Sequence, residues 1–86
     1  MITKVVLAKK AIKNLNLVPK FILNKLETWI DTVEEIGIEE TRKVAGFHDE
    51  PLKGKRKGQR SIRLNRSYRA IYIVNSGAVI FIEIIE

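Results

Sequence analysis

Apolar positions in the first half of the chain recur at the three- and four-residue spacing of amphipathic helices. A short apolar run at residues 3–7 predicts a strand, and the spacing then predicts helices over residues 8–17 and 19–36. The apolar stripe of the second helix consists of Ile22, Leu26, Trp29, Ile30, Val33 and Ile36. We expect Trp29 in the core rather than as a stacking platform for a base. Gly37 stands where a left-handed residue ends a helix, and residues 38–44 predict a further helical turn or two.

The second half of the chain alternates between apolar and polar residues, as strands do. The alternation predicts strands at residues 60–64, 68–74 and 78–85, with turns at 65–67 and 75–77, after a loop at 46–51. This order predicts an α+β fold of the form β-α-α-β-β-β. We expect a single domain over residues 1–86, in which a three- or four-stranded, mainly antiparallel sheet packs on a helical hairpin.

The last predicted strand, residues 78–85, is apolar on both faces. Two helices can cover only one face of a sheet, so the second face predicts cover from a partner or from further chain. The sequence also stops at Glu86 within the strand pattern, without a turn or a polar tail. This favours a natural chain that extends beyond Glu86, with the present one truncated at its C-terminus.

Cysteine and histidine usage excludes several kinds of chemistry. The chain has no cysteine and one histidine, His48. Disulfides, thiolate catalysis and cysteine-based metal sites are therefore excluded, and one imidazole is too few for a protein-built zinc site. We expect no metal and no cofactor. The apolar run near the N-terminus is too short for a signal sequence or a membrane span, which predicts a cytoplasmic protein without a membrane partner.

Positive charge is concentrated in one stretch of the second half. The net charge is +6, and residues 51–86 carry the whole excess. Eight cations fall between positions 53 and 69, namely Lys53, Lys55, Arg56, Lys57, Arg60, Arg63, Arg66 and Arg69. Five of them are arginines, whose planar guanidinium can hold phosphate oxygens in a fork. The stretch favours nucleic acid as a partner, although a solvated loop that aids solubility has the same composition.

Three spaced segments of the second half carry a family resemblance. They are Pro51-Leu52-Lys53-Gly54, then Arg56-x-Gly58-x-x-Ser61-Ile62-Arg63-Leu64-Asn65, then Tyr68-Arg69. Together they resemble the HigB branch, the host-inhibition or killer proteins, of the RelE/ParE toxin superfamily. The order of a strand, two helices and three strands, with a basic loop leading into the sheet, resembles the RelE-like fold over the whole chain.

The resemblance implies the toxin of a type II toxin–antitoxin pair that cuts messenger RNA in the ribosome. In the implied reaction the ribose 2′-hydroxyl attacks the adjacent phosphate and leaves a 2′,3′-cyclic phosphate, without a metal. The implied partners are the ribosome, messenger RNA and a cognate HigA-like antitoxin. Two other functions stay open on the same fold: inhibition of DNA gyrase, as in the ParE branch, and a nucleic-acid-binding module that acts as a co-repressor.

The resemblance also implies roles for the basic residues. It places Arg69 at the scissile phosphate and Lys53 beside the reacting groups. It implies that Arg60 and Arg63 lie on the neighbouring strand and that ribosomal RNA is contacted by Lys55, Arg56, Lys57 and Arg66. His48 is the one imidazole that could act as a general base, and it is equally interpretable as a loop residue without a catalytic role.

Two departures from the family pattern affect the expected chemistry. Glu50 stands where some relatives have a histidine before the Pro-Leu-Lys-Gly segment, and the sequence stops before the terminal histidine that relatives use in the reaction. Arginine and lysine are normally protonated, so they are poorly suited to move protons near neutral pH. We therefore expect the 86-residue chain to fold and to bind RNA but to cleave it poorly.

Overall fold

A computed structural model describes all 86 residues and shows three helices and one five-stranded sheet. The α-helices are α1 (Lys9–Leu15), α2 (Lys20–Ile36) and α3 (Ile38–Thr41). The strands are β1 (Lys4–Leu7), β2 (Glu50–Pro51), β3 (Arg60–Arg63), β4 (Arg69–Asn75) and β5 (Ala78–Ile85). The predicted α+β architecture with a mainly antiparallel sheet is confirmed, and the strand order is β1-β5-β4-β3-β2. None of the helices combines the length and the apolar character needed to cross a membrane.

The helix α2 follows the predicted stripe closely. Ile22, Leu26, Trp29 and Val33 are buried, whereas Ile36 at the end of the stripe is exposed to solvent. The helix ends at Gly37, whose φ of 86° lies in the region that favours glycine and whose amide donates to the Val33 carbonyl over 2.8 Å. A Cβ atom on Gly37 would lie 2.5 Å from Cγ of Met1, so both backbone conformation and space require glycine here.

The three last strands form the predicted antiparallel meander, and the tight turn between β4 and β5 uses Ser76 and Gly77, both with positive φ. The first strand, β1, lies on the far side of β5 and runs parallel to it. The chain then continues as α1 along the same edge. There the Ala8 amide donates to the Phe81 carbonyl over 2.8 Å, and the Ile84 amide donates to Oδ1 of Asn14 over 3.0 Å.

The prediction of three or four strands was wrong, because part of the expected loop at residues 46–51 belongs to the sheet. Glu50 and Pro51 form β2, which pairs antiparallel with β3 through the positions Glu50–Ser61 and Pro51–Arg60. Residues 45–47 form a 3-10 turn instead of irregular loop. A two-residue edge strand that includes proline has too little alternation to be visible in a sequence pattern.

The core lies between α2 and one face of the sheet. Trp29 is fully buried there, with its ring centroid 5.2 Å from the rings of both Tyr72 and Phe81. Tyr72 and Phe81 are neighbours across β4 and β5, with centroids 5.8 Å apart in an edge-on arrangement. This confirms Trp29 as a core residue.

The other face of the sheet, here called the outer face, is partly covered by the chain itself. Glu83 of β5 forms ion pairs there with Lys10 of α1, over 3.0 Å, and with Arg56 of the basic loop. The prediction that this whole face takes its cover from a partner or from further chain was therefore wrong for the part beside Glu83. An apolar row remains across three strands, where Val6, Ile80 and Ile73 stand opposite one another, with Val6 exposed and the other two half-buried.

We expect Trp29→Ala to lower the free energy of unfolding by about 3–5 kcal/mol, because it removes a large side chain that three elements pack around. Equilibrium denaturation in urea measures this change. Val44→Ala, at an exposed apolar position, serves as the control and should cost less than about 0.5 kcal/mol. A loss of under about 1 kcal/mol in Trp29→Ala would contradict the packing described here.

Candidate functional site

Arg69, the first residue of β4, lies at the centre of a polar cluster on the outer face. Its side chain reaches across to Ser61 of β3, whose Oγ accepts from Nε over 3.0 Å and from Nη2 over 2.7 Å. Ser61 is buried, so its hydroxyl fixes the guanidinium from below. The Nη1 donors of Arg69 have no partner within the protein, and the side chain is partly exposed. The guanidinium is held in place while part of its fork stays available.

Two groups of the segment that leads into β2 meet the same guanidinium. Nη2 of Arg69 donates to Oε1 of Glu50 over 2.9 Å and to the His48 carbonyl over 3.4 Å. Glu50 is mostly exposed, and His48 has a left-handed conformation with φ of 48°. The structure thus brings together Arg69, Glu50 and the backbone of His48, whereas the His48 imidazole makes no hydrogen bond.

Glu50 is the site residue that sequence reasoning missed. In the sequence it is only a departure from the family pattern, because a single acid before a basic stretch carries no signal of its own. The pairing of β2 with β3 could have revealed it, because that register sets Glu50 opposite Ser61, the residue beneath Arg69.

Asp49 lies between His48 and Glu50 in the sequence, and its side chain points to the opposite face of the sheet, where it holds this segment in place. Its buried carboxylate accepts from Nε of Arg60 over 2.7 Å and from the Tyr72 hydroxyl over 2.5 Å. Nε of Arg42 donates to the same hydroxyl over 3.2 Å. Burial, with a further contribution from the hydrogen bond to Asp49, raises the pKa of Tyr72 to about 12. Tyr72 therefore stays a neutral donor, and the segment is tied to the core.

Arg56, which the resemblance places on ribosomal RNA, is engaged within the protein. It forms an ion pair with Glu83, and its Nη1 donates to Oε1 of Gln59 over 2.8 Å. The hydrogen bond from Arg56, followed by that from Lys10, lowers the pKa of Glu83. Arg60 is engaged in the same way by Asp49. These two arginines therefore hold the basic loop and β3 in place and are less available to an outside anion than sequence reasoning assumed.

Five of the eight cations have no acidic partner within the protein. They are Lys53, Lys55, Lys57, Arg63 and Arg66, and all five are exposed. Arg63 stands directly opposite Arg69 in the pairing of β3 with β4, so two guanidinium groups share one face. Like charges at directly opposed positions are unfavourable, and Glu50 neutralises only one of these two guanidinium groups. A phosphate placed between them would offset the remaining positive charge.

Lys53 is less closely tied to the cluster than the resemblance implies. It precedes the 3-10 turn Gly54–Arg56 and is exposed, and its side chain makes neither a hydrogen bond nor an ion pair. The structure brings the other residues together through β2, β3 and β4, whereas Lys53 lies on the loop beyond them.

Comparison with known proteins gives a consistent result for the fold. The chain superposes on YafQ from Escherichia coli BL21(DE3) with a TM-score of 0.76 and 19% identity, over 95% of this chain and 90% of YafQ. A YoeB/ParE toxin from Agrobacterium tumefaciens matches over 95% of each chain with a TM-score of 0.73 and 21% identity. The toxin–antitoxin complex RelBE2 from Mycobacterium tuberculosis matches over 96% and 95%, with a TM-score of 0.70 and 17% identity.

No protein-family model and no curated protein matches the sequence. The resemblance in sequence pattern and the likeness in structure nevertheless agree, since every neighbour described above is a toxin-type structure and each is covered almost from end to end. The chain has the RelE-like fold of these toxins.

Proposed function

We propose that this protein is the toxin of a type II toxin–antitoxin pair and that it cuts messenger RNA bound in the ribosome. The observation that carries the proposal is the outer-face cluster, in which a half-free Arg69 is fixed by Ser61 and lies 2.9 Å from the exposed carboxylate of Glu50. Five unpaired cations belong to the same basic stretch, and one of them, Arg63, stands opposite Arg69. The fold shared with YafQ and YoeB supports the same assignment.

The cluster fits attack by a ribose 2′-hydroxyl on the neighbouring phosphate. The 2′-oxygen forms a new bond to phosphorus while the bond to the 5′-oxygen of the next nucleotide breaks, which leaves a 2′,3′-cyclic phosphate and a 5′-hydroxyl. Charge that develops on the non-bridging oxygens is stabilised by fixed donors. Arg69 supplies such donors, and Arg63 adds positive charge from the facing position.

Two proton transfers accompany this step. A carboxylate is an ordinary proton acceptor, and Glu50 is in contact with the group that would hold the phosphate, so it takes the proton of the 2′-hydroxyl. His48 carries the one imidazole of the chain, and its backbone already contacts Arg69, so it gives a proton to the leaving 5′-oxygen. Lys53 contributes charge from the loop. Glu50 and His48 thus supply both proton transfers from beside Arg69.

We expect Glu50→Gln to slow cleavage by about 10²–10⁴-fold with little change in RNA affinity, because it removes the proton acceptor and keeps the shape. His48→Ala should act similarly, and Arg69→Lys should weaken both binding and cleavage, since lysine lacks the fork. The measurement is the mapping of new RNA ends after the protein is added to a translating extract. Glu39→Gln, an exposed carboxylate on α3, is the matched control and should leave cleavage unchanged.

The alternatives give different results in parallel assays. A gyrase inhibitor would block supercoiling of DNA and create no RNA ends, and a co-repressor module would do neither while still binding nucleic acid. If the 86-residue chain creates no new RNA ends in the extract, the assignment of both proton transfers to Glu50 and His48 is wrong.

RNA binding should be electrostatic and should depend on the free lysines of the loop. Replacing Lys55 and Lys57 together by alanine should weaken binding and reduce the slope of log K against log salt. The expected reduction is about 0.7–0.9 for each phosphate that the variant no longer neutralises. Lys4 and Lys9, which are exposed on β1 and α1, provide a control pair with the same change of net charge. An equal slope in the two double variants would show that the loop does not contact RNA.

The proposed antitoxin partner should cover the rest of the outer face. A segment that is acidic and apolar on alternate sides would match both the row of Val6, Ile80 and Ile73 and the cations beside it. The partner that the resemblance implies is HigA-like, and RelBE2 is an instance of a complex in this fold.

We expect the antitoxin to slow hydrogen exchange in residues 78–85 and to block access to Arg69. Val6→Glu should weaken its binding at least about tenfold, because a carboxylate on the apolar row would repel an acidic segment. Val44→Glu, at an exposed valine away from β1, should not. If exchange in residues 78–85 and access to Arg69 stay the same at saturation, inhibition occurs elsewhere.

A further inference from the structure

Charge on the helical side of the molecule is divided between two ends. Residues 1–26 contain six lysines and no acid, and residues 27–41 contain six acids and no base. The lysines are Lys4, Lys9, Lys10, Lys13, Lys20 and Lys25, and the acids are Glu27, Asp31, Glu34, Glu35, Glu39 and Glu40. The division falls within α2, so one continuous helix has a cationic beginning and an anionic end.

This order opposes the dipole of the helix. The beginning of α2 has Lys20 and no acid in its first turn, and its end has Glu34 and Glu35 and no base in its last turn. A helix favours acids at its beginning and bases at its end. The arrangement is therefore unfavourable in an isolated α2, and a second helix that runs antiparallel beside it would relieve it at both ends.

The solvent side of α2 also has apolar residues without cover. Phe21 is 60% exposed, Leu17 just before the helix is 82% exposed, and Ile36 at its end is 38% exposed. Thr28 and Thr32 lie between them at helical spacing, on the face of Phe21 and Ile36. Their hydroxyls donate to the carbonyls of Asn24 and Thr28, over 3.0 and 2.8 Å, and are thus satisfied within the helix. The middle of this face thus carries small uncharged side chains and one lysine, Lys25, whose Nζ lies 5.0 Å from the centroid of the Phe47 ring.

A groove adjoins the anionic end of α2. It has a volume of about 290 Å³ and is lined by Met1, Ile2, Ile36, Gly37, Glu39 and Glu40. It is away from the Arg69 cluster. With a rise of about 1.5 Å per residue, the 17 residues of α2 separate the groove from the exposed pair Leu17 and Phe21 by about 25 Å. One end of the helical side is an apolar projection with lysines, and the other is an apolar groove with glutamates.

We propose that a second copy of this chain occupies this surface, with the two α2 helices antiparallel across a two-fold axis. A two-fold contact sets one end of each helix against the other end of its neighbour. Phe21 and Leu17 of each copy then meet the groove of the other, and Lys20 lies opposite Glu35. The partner that matches a cationic apolar end and an anionic apolar end on one rigid helix is the same helix reversed. This contact is separate from the proposed RNA cleavage and from the outer face.

Charge reversal tests the contact directly. In a dimer of the Lys20→Glu variant two glutamates face each other at each end of the helix pair, and in a dimer of the Glu35→Lys variant two lysines do. Each variant alone should therefore raise the dimer dissociation constant at least about tenfold. Mixing the two variants should restore the dimer, because each chain then offers one uniform charge to its complement. The double variant should also restore it. Analytical ultracentrifugation at low salt measures the association, and high salt should weaken it.

These substitutions should not unfold the protein, since both residues are exposed and each new charge agrees with the helix dipole. Lys4→Glu, with the same charge change outside α2, is the control and should leave the dimer constant unchanged. Phe21→Ser should weaken the dimer, and Val44→Ser, at another exposed apolar position, should not. A monomer at all concentrations, or a mixture of the two charge variants that fails to associate, would overturn the proposal.

Discussion

Tyr72 joins the apolar core to the polar site, and the rest of the structure depends on this connection. Its ring packs on Trp29 and Phe81, which hold α2 on the sheet. Its hydroxyl donates to Asp49, which lies between the two residues that reach Arg69. Burial keeps this hydroxyl protonated, with a pKa of about 12. The packing of helix on sheet and the position of Glu50 beside Arg69 are therefore set by one side chain.

The cations of the basic stretch form two groups, those that pair with an acid of the protein and those that do not. Asp49, Glu50 and Glu83 each pair with an arginine, Arg60, Arg69 and Arg56 respectively. The three lysines of the loop pair with none. A guanidinium can bond two acceptors in fixed geometry, whereas an ammonium is a mobile point charge. The three paired arginines thus give the surface its shape, and the three lysines, with the unpaired Arg63 and Arg66, leave charge free for a ligand.

The parts of the fold that could be predicted from the sequence are those encoded by local periodicity. The stripe of α2 and the alternation of β4 and β5 are of this kind, and Gly37 ends the helix because its φ is positive. The parallel pairing of β1 with β5 could not be predicted, since a single strand does not show which neighbour it selects. The small β2 was missed for want of length.

In the candidate site, too, local features could be predicted from the sequence and tertiary contacts could not. Arg69 and the density of cations around it were evident from composition and resemblance, and the structure fixes Arg69 on Ser61. The ion pairs of Arg56 with Glu83 and of Arg60 with Asp49 could not be predicted, because the partners lie 27 and 11 positions apart along the chain. Glu50 became a site residue only when β2 brought it to Arg69. Which charges remain free is a property of tertiary pairing.

The parallel pairing of β1 with β5 has a consequence for synthesis of the chain. Lys4 pairs with Ala78, and the edge that receives both β1 and α1 belongs to β5, which is made after the other four strands. During translation the N-terminal strand and helix therefore emerge with no edge to join, and long-range pairing of this kind is slow to form. The sheet, and with it the alignment of Glu50, Ser61 and Arg69, is completed only when β5 has been made.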